Sequence, residues 1–253
     1  MKKRSGLIIL FIVLICRPSY GQLGIWQTAT KEEITDAYQI ASSWLINTPS
    51  YFFKLKYTSY SDHITKIPVE SSNAYYKRVT NSFRMEALGI KTIQNSKVKF
   101  VVDTANSSVT AMSPSTYSVS VANSEELNNM LSQFKALKKM KVSNSSVRYR
   151  IDFKENRLYE SYEFSINSKG LLEDLKFYYS SQENKEDEQE NVEKNMTTKL
   201  KPRLEIVFYD YQVPAQYSQS EFSDPQITVG ENGKIDLKGD YREYRLLDYR
   251  LKK

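Results

Sequence analysis

The chain has 253 residues, is 40% hydrophobic and 13% aromatic, and holds 8 Gly, 7 Pro, one Cys and one His. Collagen-like, low-complexity and disulfide-stapled classes are excluded by these counts, as is any site needing two histidines. The formal charge of +6 falls to +2 once the first 22 residues are set aside, because Lys2, Lys3, Arg4 and Arg17 lie there with no acid. Without a basic stripe or a recognition motif, a nucleic-acid partner is not expected.

Residues 1–22 have the three parts of a secretory signal peptide: cationic Lys2-Lys3-Arg4, an unbroken apolar run over 7–16, and small residues Ser19 and Gly21 at a cleavage site. The run spans about 15 Å as a helix, against roughly 30 Å for a bilayer core. Cys16 follows Ile15 rather than a small residue, which argues against acylation, and it leaves with the signal. No later stretch reaches spanning length. The expectation is an exported protein with no transmembrane segment in the mature chain, free in the periplasm or peripheral at the outer membrane.

The first predicted element is a helix over Lys31–Asn47, opened by a Thr30/Glu33 capping box and ended at Thr48-Pro49. Ile34, Ala37, Tyr38, Ala41, Trp44 and Leu45 recur at helical spacing. From Ser50 the period becomes 2: Tyr51, Phe53, Leu55 and Tyr57 alternate with Phe52, Lys54, Lys56 and Thr58. Strand patterns follow at 74–80, 82–88, 97–103, 108–112 and 116–121, with tight polar breaks that predict antiparallel hairpins. A second helix is predicted over 124–140, with Leu127, Met130, Leu131, Phe134 and Leu137 as its stripe. Its early acids and late lysines suit the helix dipole.

Strands resume at 147–153, 157–166, 171–179 and 204–213, with a turn at Asn167-Ser168-Lys169-Gly170. Residues 181–199 are acidic and almost without apolar side chains, and predict a mobile loop. A C-terminal strand extension is expected over 226–253, with strands at 226–229, 234–237 and 241–251. The simplest organisation is one domain over 23–253. Its expected fold is mainly β with helices (α+β): one large curved antiparallel sheet, an unclosed barrel, covered by an N-terminal helix and a mid-chain lid helix.

Chemistry has few places to sit. His63 lies in a polar loop without a nucleophile or a second base. No nucleophile elbow, phosphate loop or dinucleotide fingerprint is present. Glu160, Glu163, Glu173 and Asp174 fall on strands, and a carboxylate-pair hydrolase needs two of them to converge. No cofactor or metal is expected, and the chain reads as non-enzymatic. The apolar faces either fill a solid core or enclose a cavity, and composition does not separate the two.

The order of elements resembles the LolA-like family, periplasmic carriers of outer-membrane lipoproteins. The resemblance runs from about Lys31 to Ser223. It rests on the leading helix entering Tyr51-Phe52-Phe53-Lys54-Leu55, on Tyr75-Tyr76-Lys77-Arg78 followed by Phe83-Arg84-Met85-Glu86, on the helix at 124–140, and on the strands over 162–179 and 204–213 with 217–222. The resemblance implies an unclosed barrel under a helical lid, with lipid or an acylated lipoprotein held in an apolar cavity. Phe53, Leu55, Tyr57, Met85, Phe100, Leu175 and Phe177 are its lining candidates, and Leu127, Leu131 and Phe134 its lid. Arg78 matches the family arginine that hydrogen-bonds the lid, although Val79 stands where a proline is usual. An envelope interaction module with a filled core and a protein partner is the alternative.

Overall fold

A computed structural model describes residues 23–115, 124–155, 157–181 and 201–250. The signal expected at 1–22, the strand expected at 116–121 and all of the acidic stretch except Ser181 lie outside these residues. In chain order the elements are β1 (Gln27–Thr28), α1 (Lys31–Asn47), β2 (Ser50–Tyr60), β3 (Pro68–Val79), β4 (Ser82–Ala87), β5 (Ile90–Gln94), β6 (Lys99–Asp103) and β7 (Ser108–Met112). Then come α2 (Ser124–Ser132), β8 (Phe134–Ser143), β9 (Ser146–Phe153), β10 (Tyr159–Asn167), β11 (Leu172–Tyr179), β12 (Arg203–Gln212), β13 (Ile227–Val229), β14 (Ile235–Leu237) and β15 (Arg245–Asp248).

α1 forms where the capping signal places it. The Thr30 hydroxyl accepts from Glu33 N (3.2 Å), and a Glu33 carboxylate oxygen accepts from Thr30 N (3.0 Å). Such a cap contributes about 1 kcal/mol. Ile34, Ala37, Tyr38, Ala41 and Leu45 are buried, the five positions of one helical face. The last turn carries no basic residue of its own. Arg78 on β3 supplies one, donating from Nη1 to the Leu45 carbonyl at 2.7 Å.

Thirteen strands form one sheet in the order β1-β8-β9-β10-β11-β12-β2-β3-β4-β5-β6-β7-β15. Every pairing is antiparallel except β15 with β7, which is parallel. α1 touches β8 at one end, through the Lys139–Glu33 ion pair, and β3 at the other, through Arg78. Six inter-strand steps separate β8 from β3, an arc of about 29 Å at about 4.8 Å each. The helix rises only about 18 Å between Glu33 and Leu45. The sheet therefore curls toward α1, and the sheet remains unclosed.

The mid-chain helix is shorter than its apolar stripe predicts. It ends at Ser132, and Phe134–Ser143 is a strand hairpinned to β9 through the turn at 144–145. Phe134, Leu137 and Met140 fit helical spacing, but the chain here gains more from pairing. Leu137 lies opposite Ile151 in the core, and the lysines read as dipole partners meet acids on other elements: Lys138 binds Asp152 of β9 at 2.7 Å and Lys139 binds Glu33 of α1. Tertiary context overrides propensity.

The C-terminal expectation is also corrected. β13 and β14 form a separate two-stranded sheet, and Tyr241 sits in a 3-10 turn rather than on a strand. Only Arg245–Asp248 joins the main sheet, beside β7. This segment builds a second core in which Ile227, Ile235 and Tyr241 pack on Val98, Phe100, Val102, Val109 and Ala111.

Candidate functional site

Cross-strand register sorts side chains onto two faces. Tyr51, Phe53, Leu55 and Tyr57 of β2 point to the α1 side, with Ala74 and Tyr76 of β3 and Met85 of β4 opposite them. Ile206 and Phe208, then Leu175 and Phe177, then Tyr162 and Phe164 continue that inner face across β12, β11 and β10. The main hydrophobic core is this face together with α1, Leu127 and Leu131 of α2, and Leu137 and Ile151.

The two ends of the inner face differ. At the lower end α1 acts as a plug, and Tyr51, Phe53, Tyr76 and Phe83 are fully buried. Their rings form a run with centroids 5.4 to 6.0 Å apart, a geometry that adds to area burial. Trp44 of α1 closes on Tyr51 at 5.1 Å and on Tyr211 at 5.6 Å. The phenols here keep their polar ends at the margin: Tyr51 donates to the Leu45 carbonyl at 3.1 Å and Tyr211 to the Leu172 carbonyl at 2.8 Å. Burial raises the pKa of Tyr51, Tyr57 and Tyr211, and that of Tyr162 well above the usual phenol value. They contribute no charge to the face.

Toward the upper end α1 reaches only β8, where Lys31 lies over the Phe134 ring at 5.1 Å, and several apolar residues are only half-buried. Tyr57, Met85, Phe134, Phe153, Phe177 and Ile206 pack against the core while retaining exposed surface. Loops at the same end carry Ile64, Ile67, Leu88 and Leu158, all exposed. The outer face of this half of the sheet is its chemical opposite, a ladder of ion pairs. Arg150 holds Asp152 (2.6 Å) and Glu163 (2.8 Å), Arg148 holds Asp174 (2.7 Å), and Lys176 holds Glu205 (3.1 Å). Asp152 has a lowered pKa: burial, the largest influence, opposes the shift and is outweighed by Lys138 and Arg150.

The structure gathers nine of the ten apolar candidates on the main core. Phe53, Leu55, Leu127, Leu131 and Leu175 are buried there, and Tyr57, Met85, Phe134 and Phe177 pack against it. Phe134 reaches it from a strand, not from the lid helix. Phe100 belongs instead to the second core, because it pairs with Ile93 and Ala111 on the outer face. Arg78 does bind a helix, but the helix is α1: besides Leu45 it donates to the Thr80 carbonyl at 2.8 Å and lies 5.9 Å from the Tyr51 ring.

The acids weighed for hydrolysis are committed elsewhere. Glu163 and Asp174 share Arg148, Glu160 pairs with Lys201 (2.5 Å), and Glu173 accepts from Ser146. His63 occupies the β2–β3 loop, with Nε2 at 2.9 Å from the Tyr179 carbonyl. Among the described residues no group of three or more His, Cys, Asp or Glu side chains is placed to hold a metal ion.

Sequence reasoning missed Ile206, Phe208, Tyr162 and Phe164 as members of the face. The alternation Tyr162-Glu163-Phe164-Ser165-Ile166 carried that signal. It also missed an open groove of about 810 Å³ on the outer side, lined by Phe52, Lys54, Tyr75, Lys77, Glu86, Leu88, Lys91 and Tyr209 among others. Tyr75 and Tyr76 are adjacent aromatics on opposite faces, so no pattern told which belonged to the core.

Fold and site define a class: a mainly β protein whose large unclosed sheet shelters an apolar face under helices. Solved structures similar to this chain include a LolA superfamily protein from Nitrosomonas europaea, at 9% identity over 78% of this chain and 98% of that one, with a TM-score of 0.30. A DUF1329 family protein from Desulfovibrio piger (10% identity, 75% and 97% covered) and an outer membrane lipoprotein-sorting protein domain from Vibrio parahaemolyticus (9% identity, 76% and 97% covered) have the same TM-score of 0.30. No protein-family model matches the chain, and no curated protein matches it. The structural neighbours are thus LolA superfamily and lipoprotein-sorting proteins at low identity. The reading that follows rests on this chain's own residues.

Proposed function

We propose that the protein is a non-enzymatic periplasmic carrier that holds the acyl chain of a lipid or lipoprotein against the inner face. One observation carries this reading: a continuous apolar face is sealed by α1 at one end and left half-covered at the other. An ordinary core has no reason to stop short of closure with Tyr57, Met85, Phe177 and Ile206 part-exposed. An acyl chain of about 15 methylenes gains roughly 12 kcal/mol on leaving water, at about 0.8 kcal/mol per methylene. A face of aromatic rings and branched aliphatics, with Arg78 held at the α1 end, suits such a guest.

Leu127 and Leu131 place α2 over the same core, so the short helix is the cover that must yield for loading and release. Export is supported by the signal-like first 22 residues. The test is binding of a fluorescent fatty acid by Leu131→Glu, with far-UV circular dichroism to confirm intact strands. Binding should fall at least about tenfold, roughly 1.4 kcal/mol. Unchanged binding by a folded variant would remove α2 from the site, and no binding by the unmodified protein would remove the carrier reading altogether.

A further inference from the structure

The two halves of the sheet differ in height. β3 runs over Pro68–Val79, but β4 pairs only with its lower residues, from Tyr75 to Val79. The upper part of β3, residues 68–74, pairs with β2 on one side. On its other side it meets no strand among the described residues. That free edge rises roughly 20 Å at about 3.4 Å per residue. The β4–β5 turn at Leu88 and Gly89 forms a shelf below it, and the 810 Å³ groove lies along the junction, touching Ser72, Asn73 and Ala74 of the edge.

We propose that this edge takes an extended, uncharged peptide segment of a partner protein as an added strand, with alternate side chains seated in the groove. The backbone argument is that an unpaired strand edge presents alternating N–H and C=O groups that only another extended backbone satisfies in register. The guard residues are unevenly placed. Pro68, Glu70 and a register shift at Ser59/Tyr60 protect the tip, as edges are usually protected. Ser71, Ser72, Asn73 and Ala74 carry no charge, no proline and no bulk. The protected tip disfavours long edge-to-edge pairing with a second copy, while the stretch beneath it stays open to a short guest.

Charge decides what kind of peptide fits. Each cation bordering the groove already has an acid: Lys54 with Asp210 (2.8 Å), Lys77 with Glu221 (2.7 Å), Lys91 with Asp224 (3.0 Å). Glu86 is held by Arg84 at 2.6 Å. The groove therefore offers no unbalanced charge, and the rest of its lining combines Phe52, Tyr75, Leu88, Ile90 and Tyr209 with small residues such as Ser72, Asn73 and Thr104. On the other face an added strand would lie beside Ala74, Ala87 and Met85, also apolar. One face of the guest strand meets charge-balanced surface and the other apolar surface, so uncharged β-branched and aromatic side chains are favoured. This proposal stands apart from lipid binding on the inner face.

The experiment uses the mature chain and three labelled eight-residue peptides that alternate Thr with Val, Ile or Tyr. Saturable anisotropy below about 1 mM with at least one peptide is expected, together with roughly tenfold slower exchange of the edge-facing amides among residues 71–74 in the complex. Ser72→Pro and Asn73→Pro provide the variant pair. Neighbouring amides on a strand point to opposite edges, so one of the two removes an N–H bonded to β2 and destabilises the fold. The other removes an edge-facing N–H; it should keep the melting temperature and fatty-acid binding while losing peptide binding at least about tenfold. Four results would each overturn the proposal: no binding by any peptide, protection mapping elsewhere, the edge-facing amides of residues 71–74 already protected in the free protein, or sedimentation showing that the edge pairs with a second copy.

Discussion

The lower and upper ends of the inner face are built from the same residue types on the same strands, yet one is closed and the other is not. At the lower end α1 contributes Ile34, Ala37, Ala41 and Leu45, small and branched side chains that let the helix approach the ring stack of Tyr51, Phe53 and Tyr76 closely. At the upper end the cover is the nine-residue α2, with Leu127 and Leu131 as its buried contacts. The difference teaches that burial on a curved sheet is set by the length and anchoring of what lies across it, not by the hydrophobicity of the strands. Packing is dense at one end, and the proposed entry for a guest lies at the other.

The contrast can be broken most directly at the ring stack. Phe53→Ala removes a fully buried ring and should cost about 3–5 kcal/mol in urea unfolding. A loss below about 1 kcal/mol would show the lower end to be loosely packed. Phe177→Ala, at the half-buried upper end, should cost about 2 kcal/mol or less while weakening fatty-acid binding several-fold. Equal stability losses at the two positions would erase the distinction between the ends.

Arg78→Leu sharpens the role of anchoring. It leaves the Leu45 carbonyl with Tyr51 alone and removes the charge at the helix C-terminus. The expected effect is about 1 kcal/mol, read as faster amide exchange in the last turn of α1. Exchange changing in α2 instead would point to coupling between the two helices.

The smallest effect is one of pH. Tyr75, on the outer face, is pushed up to about 12 by burial first and then by Glu86; Tyr178 is pushed up to about 12 by burial first and then by Glu163. Below pH 10 both phenols are protonated in the folded and unfolded chains alike, and their contribution is fully present. Between pH 10 and 12 the unfolded chain ionises first, so stability declines through that window. Alkaline titration followed by phenolate absorbance should show a late-ionising fraction, and Tyr75→Phe should reduce it.

Much of the sheet was legible because its strands alternate cleanly and its turns are marked. The Tyr51-to-Tyr57 alternation and the Asn167–Gly170 turn are where the sequence put them. The capping box of α1 was equally plain. The mid-chain helix was overextended because Leu127, Leu131, Phe134 and Leu137 satisfy helical spacing, while the competing hairpin is announced only by Ser143-Asn144-Ser145-Ser146, without Gly or Pro. Phe100 was placed on the wrong side because strand parity after a turn depends on register, and register is a tertiary property. The groove was invisible for the same reason: it exists because β3 outruns β4, a difference in strand height that no local pattern encodes.

The second core has a consequence for how this chain tolerates change. Ile227, Ile235 and Tyr241 clamp the outer side of β6 and β7, while the helices serve the inner side of the remaining strands. Two separate packing units that share one backbone scaffold should respond to paired lesions independently, so the free-energy losses of Ile235→Ala and Phe53→Ala sum without an interaction term. Substitutions can therefore accumulate in the tail while the packing of the inner face stays as it was.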